Sequence, residues 1–173
     1  MTIILCGLPA CGKTTIGQLL AKTLSWHFID SDRLIEQTYA QKNTKNLTCR
    51  QIYLQEGEVS FRALERTIIS SLQNKQHVVI AIGGGALLYK ENTITLKTMG
   101  TLVYLKTPLN IIWERLCLNG LPAYLDPNNP KEAFETLVKK RIPLYEKQAD
   151  LCVDVLNNEA IVSTILKAIE HGK

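Results

Sequence analysis

Short runs of β-branched and other apolar residues alternate along this chain with longer segments in which apolar positions return every three or four residues. TIILC (2–6), WHFI (26–29), HVVIAI (77–82), TLVYL (101–105) and DLCVDV (150–155) read as five strands. Helices lie between them. The clearest is EVSFRALERTIISSLQ, where Phe61, Leu64, Ile68, Ile69 and Leu72 fall on one stripe. Thr48 is the expected N-cap of a shorter helix before it, and Gly57 that helix's expected end. Strands separated by helices predict an α/β fold of three layers, a central five-stranded parallel sheet with helices on both faces.

One stretch has neither period. LNGLPAYLDPNNP, residues 118–130, holds three prolines, one glycine and three asparagines. A loop of that length in a compact domain is more often functional than incidental, a mobile lid being the frequent case. No repeat or linker divides the chain, so residues 1–173 are expected to form one domain.

Composition narrows the setting. A chain of 173 residues that is 46% hydrophobic can bury a substantial core. Lys and Arg outnumber Asp and Glu by only 20 to 16, too small and dispersed an excess for a nucleic-acid-binding stripe. Cys6, Cys11, Cys49, Cys117 and Cys152 are odd in number and show no C-x-x-C spacing, which predicts free thiols in a reducing compartment. No apolar run is long enough to cross a bilayer, and MTIILCG lacks the basic segment of a signal peptide. The expectation is a cytoplasmic monomer that binds neither nucleic acid nor membrane.

The most specific motif follows the first strand. GLPACGKT, Gly7 to Thr14, fits G-x-x-x-x-G-K-[ST] and opens the helix KTTIGQLLAKTL. Its glycines let the backbone turn sharply and aim N–H groups inward to cradle phosphate oxygens. Gly7, Leu8, Pro9, Ala10, Cys11, Gly12, Lys13, Thr14 and Thr15 are therefore the candidate nucleotide-binding residues. Lys13 would reach the outer phosphates and the Thr14 hydroxyl would coordinate Mg²⁺. Cys6 and Cys11 read as small packing residues. The loop implies a nucleoside triphosphate but no particular reaction. With no N-K-x-D guanine motif and too little chain for a motor, a small-molecule kinase is favoured.

A kinase needs an acceptor site. DSD ends the second strand, so Asp30 and Asp32 point to the crevice where parallel sheets bind ligands. Asp30 is read equally well as support for a metal or as a helix cap, whereas Asp32 is better placed to orient an acceptor hydroxyl and take its proton. Arg62 and Glu65 are neighbours on one helix face, where the plain reading is a weak surface ion pair. Gly83, Gly84 and Gly85 are costly in a row unless a ligand or another backbone comes close. Arg141 stands near Pro143, which should kink or end its helix.

In this order and spacing GLPACGKT, DSD, EGEVSFRALE, IAIGGGAL, TLVYL and RIPLYEKQAD resemble the shikimate kinases, over residues 2 to about 155. The resemblance implies a P-loop kinase fold and transfer of the γ-phosphoryl group of ATP, with Mg²⁺, to the 3-hydroxyl of shikimate. It gives Lys13 the phosphates, Thr14 the metal, and Asp30 a place behind the metal through water. Asp32 becomes the base, and Arg62 and Arg141 hold the carboxylate. Gly83 to Gly85 wall the ring, and Arg115 matches the arginine that stacks on adenine. Kinases of another hydroxy acid or of a nucleotide, and a binding protein with impaired catalysis, are the alternatives.

The chain departs from this pattern once. The family's lid carries an arginine immediately before a proline, and here Leu121 precedes Pro122. An inserted arginine is worth about 10³–10⁵ in rate in phosphoryl transfer. Arg115 and Lys131, at the two ends of the loop, are the cations expected to substitute.

Overall fold

A computed structural model describes residues 1–155 and 158–171. The strands are β1 (Thr2–Cys6), β2 (His27–Asp30), β3 (Val78–Ala81), β4 (Thr101–Lys106) and β5 (Leu151–Asp154). The helices are α1 (Lys13–Leu24), α2 (Ser31–Asn43), α3 (Cys49–Ser71), α4 (Lys90–Met99), α5 (Leu109–Asn119), α6 (Pro130–Gln148) and α7 (Asn158–His171), with a 3₁₀ turn at Ala86–Leu88. All strand pairs are parallel, in the order β2-β3-β1-β4-β5. The expected three-layer α/β fold is thus the observed one.

The central strands owe their apolar composition to burial on both faces, and β1 and β3 are buried at every position. The edge strands β2 and β5 are only partly covered. Helix α1 packs on β3, β2 and α7, while α4 and α6 pack on β4. A smaller apolar cluster of Ile35, Tyr39, Ile52, Phe61 and Ile68 joins α2 to α3.

Helix ends follow the chemistry of their caps. Thr48 forms a capping box with Gln51, and Gly57, at φ 78°, interrupts α3 so that it reads as two helices across a kink. Pro143 was expected to kink or end its helix, yet it lies inside α6, which runs on to Gln148. The carbonyl it leaves without a helical partner belongs to Lys139, an exposed residue that water can serve.

Register decides what meets at one end of the sheet. Leu5 pairs with Ala81, and Ala81 with Asp30. Three neighbouring strands therefore end at one level and lead into GLPACGKT, DSD and GGG. Where the chain enters β4, a Cβ on Gly100 would lie 2.1 Å from the backbone oxygen of Thr2. Gly100→Ala is accordingly expected to destabilise the fold by at least about 2 kcal/mol in urea unfolding. Unchanged stability would mean that β1 and β4 can part there without loss.

Candidate active site

The phosphate loop is shaped before any ligand arrives. Gly12 caps α1 at φ 99°, and Ala10 sits at φ 60°, a conformation that a non-glycine residue holds only where its surroundings impose it. Cys11 N–H donates to the Leu8 carbonyl at 3.3 Å, and Thr107 Oγ1 donates to the Cys11 carbonyl at 2.8 Å. Lys13 Nζ donates to the carbonyls of Gly7 and Leu8 at 3.0 and 2.8 Å, folding its ammonium over the loop. The first turn of α1 has no acidic residue and no side-chain cap, so its N–H groups and its positive dipole end face the cleft. Cys6 and Cys11 are buried, as packing residues are, and burial raises the Cys6 thiol pKa.

Asp30 joins this loop to the acceptor side. Its Oδ2 accepts from Thr14 Oγ1 at 2.7 Å, and its Oδ1 accepts from the Asp32 N–H at 3.0 Å. Asp30 thus caps α2 and also touches the threonine of the loop. One hydroxyl and one carboxylate are hard oxygen donors suited to Mg²⁺. Among the described residues no cluster of three or more His, Cys, Asp or Glu could hold a metal.

The Asp32 carboxyl pKa is pushed up to about 6, chiefly by burial and further by Asp30, against the pull of Lys13. Arg62 and Glu65 form a buried pair at 3.0 Å, with side chains 9% and 2% exposed, rather than the surface pair their spacing suggested. Burial works against the charge on both. Around Arg62 the Glu65 carboxylate more than offsets it, while the Glu65 pKa remains raised. Arg62 Nε is, among the described residues, the buried side-chain nitrogen with no hydrogen-bond partner.

The three glycines each leave room for a functional side chain. A Cβ on Gly83 would stand 2.8 Å from Asp32 Oδ1, on Gly84 3.3 Å from Arg141 Nη1, and on Gly85 2.6 Å from Arg62 Nη2. Arg141 stands behind this wall, stacked 4.8 Å over the Tyr124 ring and 3.5 Å from its hydroxyl.

These groups share a cleft of about 520 Å³. Pro9, Ala10, Gly12, Lys13, Thr14, Thr15, Asp30, Asp32, Arg62, Gly83, Gly84, Gly85 and Arg115 line it. Gly7, Leu8 and Cys11 belong to the same loop but are buried and do not line the cleft, and Arg141 lines an adjoining pocket that shares Tyr53, Arg62 and Tyr124 with the cleft. Arg115 Nη1 donates to the Ala10 carbonyl at 3.1 Å. Lys131 is exposed and lines neither space, whereas Leu121 packs against the core.

Sequence reasoning missed Cys49, Arg50, Tyr53 and Tyr124, all of which line the cleft. Arg50 and Tyr53, three apart in the first turn after the Thr48 cap, share one helix face, and that spacing was readable. Tyr124 gave no such signal, because a loop has no period.

A phosphate loop and a half-buried carboxylate at the strand ends of a parallel sheet define a P-loop phosphotransferase that acts on a small acceptor. The family model described as shikimate kinase matches residues 9–170, and the chain belongs to that family. It is 37% identical over 171 residues to the shikimate kinase of Thermodesulfovibrio yellowstonii, covering 98% of this chain and 95% of the relative. The structure of shikimate kinase from Acinetobacter baumannii in complex with shikimate matches with a TM-score of 0.90 at 33% identity, over 99% of this chain and 94% of that one. The shikimate kinase structure from Bacteroides thetaiotaomicron matches with a TM-score of 0.84 at 26% identity, over 98% of each chain.

Gly85→Ala would force the Arg62 guanidinium off Glu65, so a loss of about 1–3 kcal/mol in urea unfolding is expected. Wild-type stability would show that Arg62 swings aside freely and that the pair is not held.

Proposed function

We propose that the protein transfers the γ-phosphoryl group of ATP to the 3-hydroxyl of shikimate, giving shikimate 3-phosphate and ADP on the route to chorismate and the aromatic amino acids. The observation that carries this reading is one cleft in which a phosphate loop faces Asp32 and a buried guanidinium with an unpartnered Nε–H. A carboxylate on the acceptor satisfies that N–H, and Arg141 supplies a second guanidinium from behind Gly84.

Each residue then has a task. The loop from Gly7 to Thr15 holds the triphosphate, and the Lys13 ammonium leaves the Gly7 and Leu8 carbonyls for the outer phosphates. Thr14 would hold Mg²⁺, with Asp30, hydrogen-bonded to the Thr14 hydroxyl, supporting the ion through water. When bound, the ion neutralises charge on the phosphate oxygens. Arg115, held against Ala10, flanks the adenine. Asp32 accepts the proton of the 3-hydroxyl as its oxygen bonds to the γ-phosphorus and the bond from that phosphorus to the bridging oxygen of ADP breaks.

We further infer that residues 1–173 act as one domain and that the loop at 118–130 is a lid. Closed over both substrates, it keeps water from taking the phosphoryl group. Among the described residues no helix is long and apolar enough to cross a membrane. We infer, separately, a cytoplasmic monomer whose partners are small molecules, without nucleic acid or membrane. Leu121 favours a second reading, a shikimate-binding protein with impaired catalysis, because its side chain packs on the core where a lid cation is expected.

Coupled ADP release with MgATP separates these readings. Stimulation by shikimate, and not by quinate or a nucleoside monophosphate, is the expected result. Binding of ATP and shikimate without ADP release would favour the second reading. As the base, Asp32 must be ionised, so kcat/KM should fall about tenfold per unit as pH drops below about 6. A profile flat from pH 7 to pH 5 would remove Asp32 from that role.

A further inference from the structure

Three guanidiniums line the cleft, and two of them are committed to protein groups. Arg62 is paired with Glu65, and Arg115 is held on the Ala10 carbonyl. The third, Arg50, makes no hydrogen bond or ion pair with another described residue. Its side chain is long and exposed, but its base is fixed. Cys49, the residue before it, receives its place from two contacts, its N–H donating to Glu36 Oε1 at 2.9 Å and its Sγ lying 3.2 Å from the Asp32 carbonyl. Arg50 thus springs from the first turn of α3, one residue from a group anchored on the backbone of the candidate base.

Its other end reaches the loop. Arg50 Nη1 would stand 3.7 Å from a Cβ on Gly120, the residue that ends α5 and begins the stretch to Pro130. Pro122, Ala123 and Tyr124 line the cleft beyond that point, whereas Leu121 turns into the core. The loop therefore brings no cation of its own into the cleft, and an uncommitted guanidinium waits where the loop leaves α5.

Transfer of a phosphoryl group spreads negative charge over its three equatorial oxygens and over the leaving oxygen, and a guanidinium aimed at that charge is worth far more than one exposed to water. We propose that Arg50 is this chain's transition-state arginine, reaching from α3 under the loop to the transferring phosphoryl group. The proposal rests on the phosphotransfer reading of the same cleft. Bond changes are those of that reaction, and Arg50 gains or loses no proton, contributing only hydrogen bonds to the phosphoryl oxygens.

The test combines turnover with binding. Arg50→Ala is expected to lower shikimate-dependent kcat at least ~100-fold while the calorimetric Kd values for MgATP and shikimate stay within about threefold of wild type. Arg50→Lys should recover only part of the rate, since an ammonium lacks the two-pronged donor geometry. In the Arg50→Ala background, Leu121→Arg should restore turnover at least ~10-fold, a gain that a merely structural role for Arg50 does not predict. A kcat within tenfold of wild type for Arg50→Ala, or a loss seen in KM alone, would overturn the proposal.

A second measurement is independent of the acceptor. MgADP with aluminium fluoride mimics the transferring group, and Arg50→Ala should weaken its binding at least ~100-fold while leaving MgADP unchanged. Equal loss of both ligands, or of neither, would sink the proposal. If wild-type protein shows no shikimate-dependent ADP release, the acceptor reading fails by itself, and the fluoride complex still decides the role of Arg50.

Discussion

The Asp30 carboxylate is the contact on which the site depends. One oxygen accepts from the threonine hydroxyl of the phosphate loop and the other from the N–H of Asp32. The nucleotide side and the acceptor side of the cleft are thereby fixed to one another through two hydrogen bonds to a single charged group, and such bonds are about twice as strong as neutral ones. The geometry exists only because β2 and β1 flank β3 in register, which sets Asp30 level with the end of the strand that leads into the loop. Sheet pairing and catalytic geometry are in this sense one constraint.

Buried charge is the second organising element. Placing Arg62 and Glu65 out of water costs several kcal/mol per ion before their attraction is counted, so such a pair is weak evidence for stability. Here it has a different consequence. The pair holds a guanidinium rigid with one donor left over, aimed from a helix whose apolar side is clamped to α2 by the cluster around Ile52 and Phe61. Asp32 is raised by the same desolvation. A carboxyl with a raised folded pKa stabilises the fold fully below its unfolded value of about 3.8 and gives up that contribution as pH rises through about 6. The site therefore works against folding at neutral pH, as functional sites commonly do.

Much of this was legible in the sequence because it rests on local rules. Five apolar runs gave five strands, Thr48 and Gly57 marked the two ends of the first half of α3, and GLPACGKT declared its backbone geometry. What failed to show was set by distance. Nothing in F-R-A-L-E distinguishes a solvated ion pair from a buried one, because burial of Arg62 and Glu65 comes from Tyr89 and from the glycine wall, far along the chain. Pro143 misled for the opposite reason. The rule that proline ends a helix assumes an unserved carbonyl, and the carbonyl in question belongs to Lys139, an exposed residue. The Arg50 and Tyr53 spacing marked a shared helix face, but a polar residue in an exposed first turn looks the same whether that face meets solvent or a cleft.

Where a catalytic cation is mounted changes what a lid has to do. An arginine carried on a moving loop arrives only when the loop closes, so closure and charge stabilisation are one event, and each turnover must order the loop against its conformational entropy. A guanidinium on the first turn of α3, with Cys49 tied to Glu36 and Asp32, is positioned to within the freedom of its own side chain before closure. The loop is then left with exclusion of water, for which proline, alanine and tyrosine against the cleft suffice and for which Leu121 serves better as an apolar anchor on the core than as a charge. On the proposal for Arg50, the two positions divide the work, Leu121 anchoring the loop on the core and Arg50 supplying the charge from the helix beneath it.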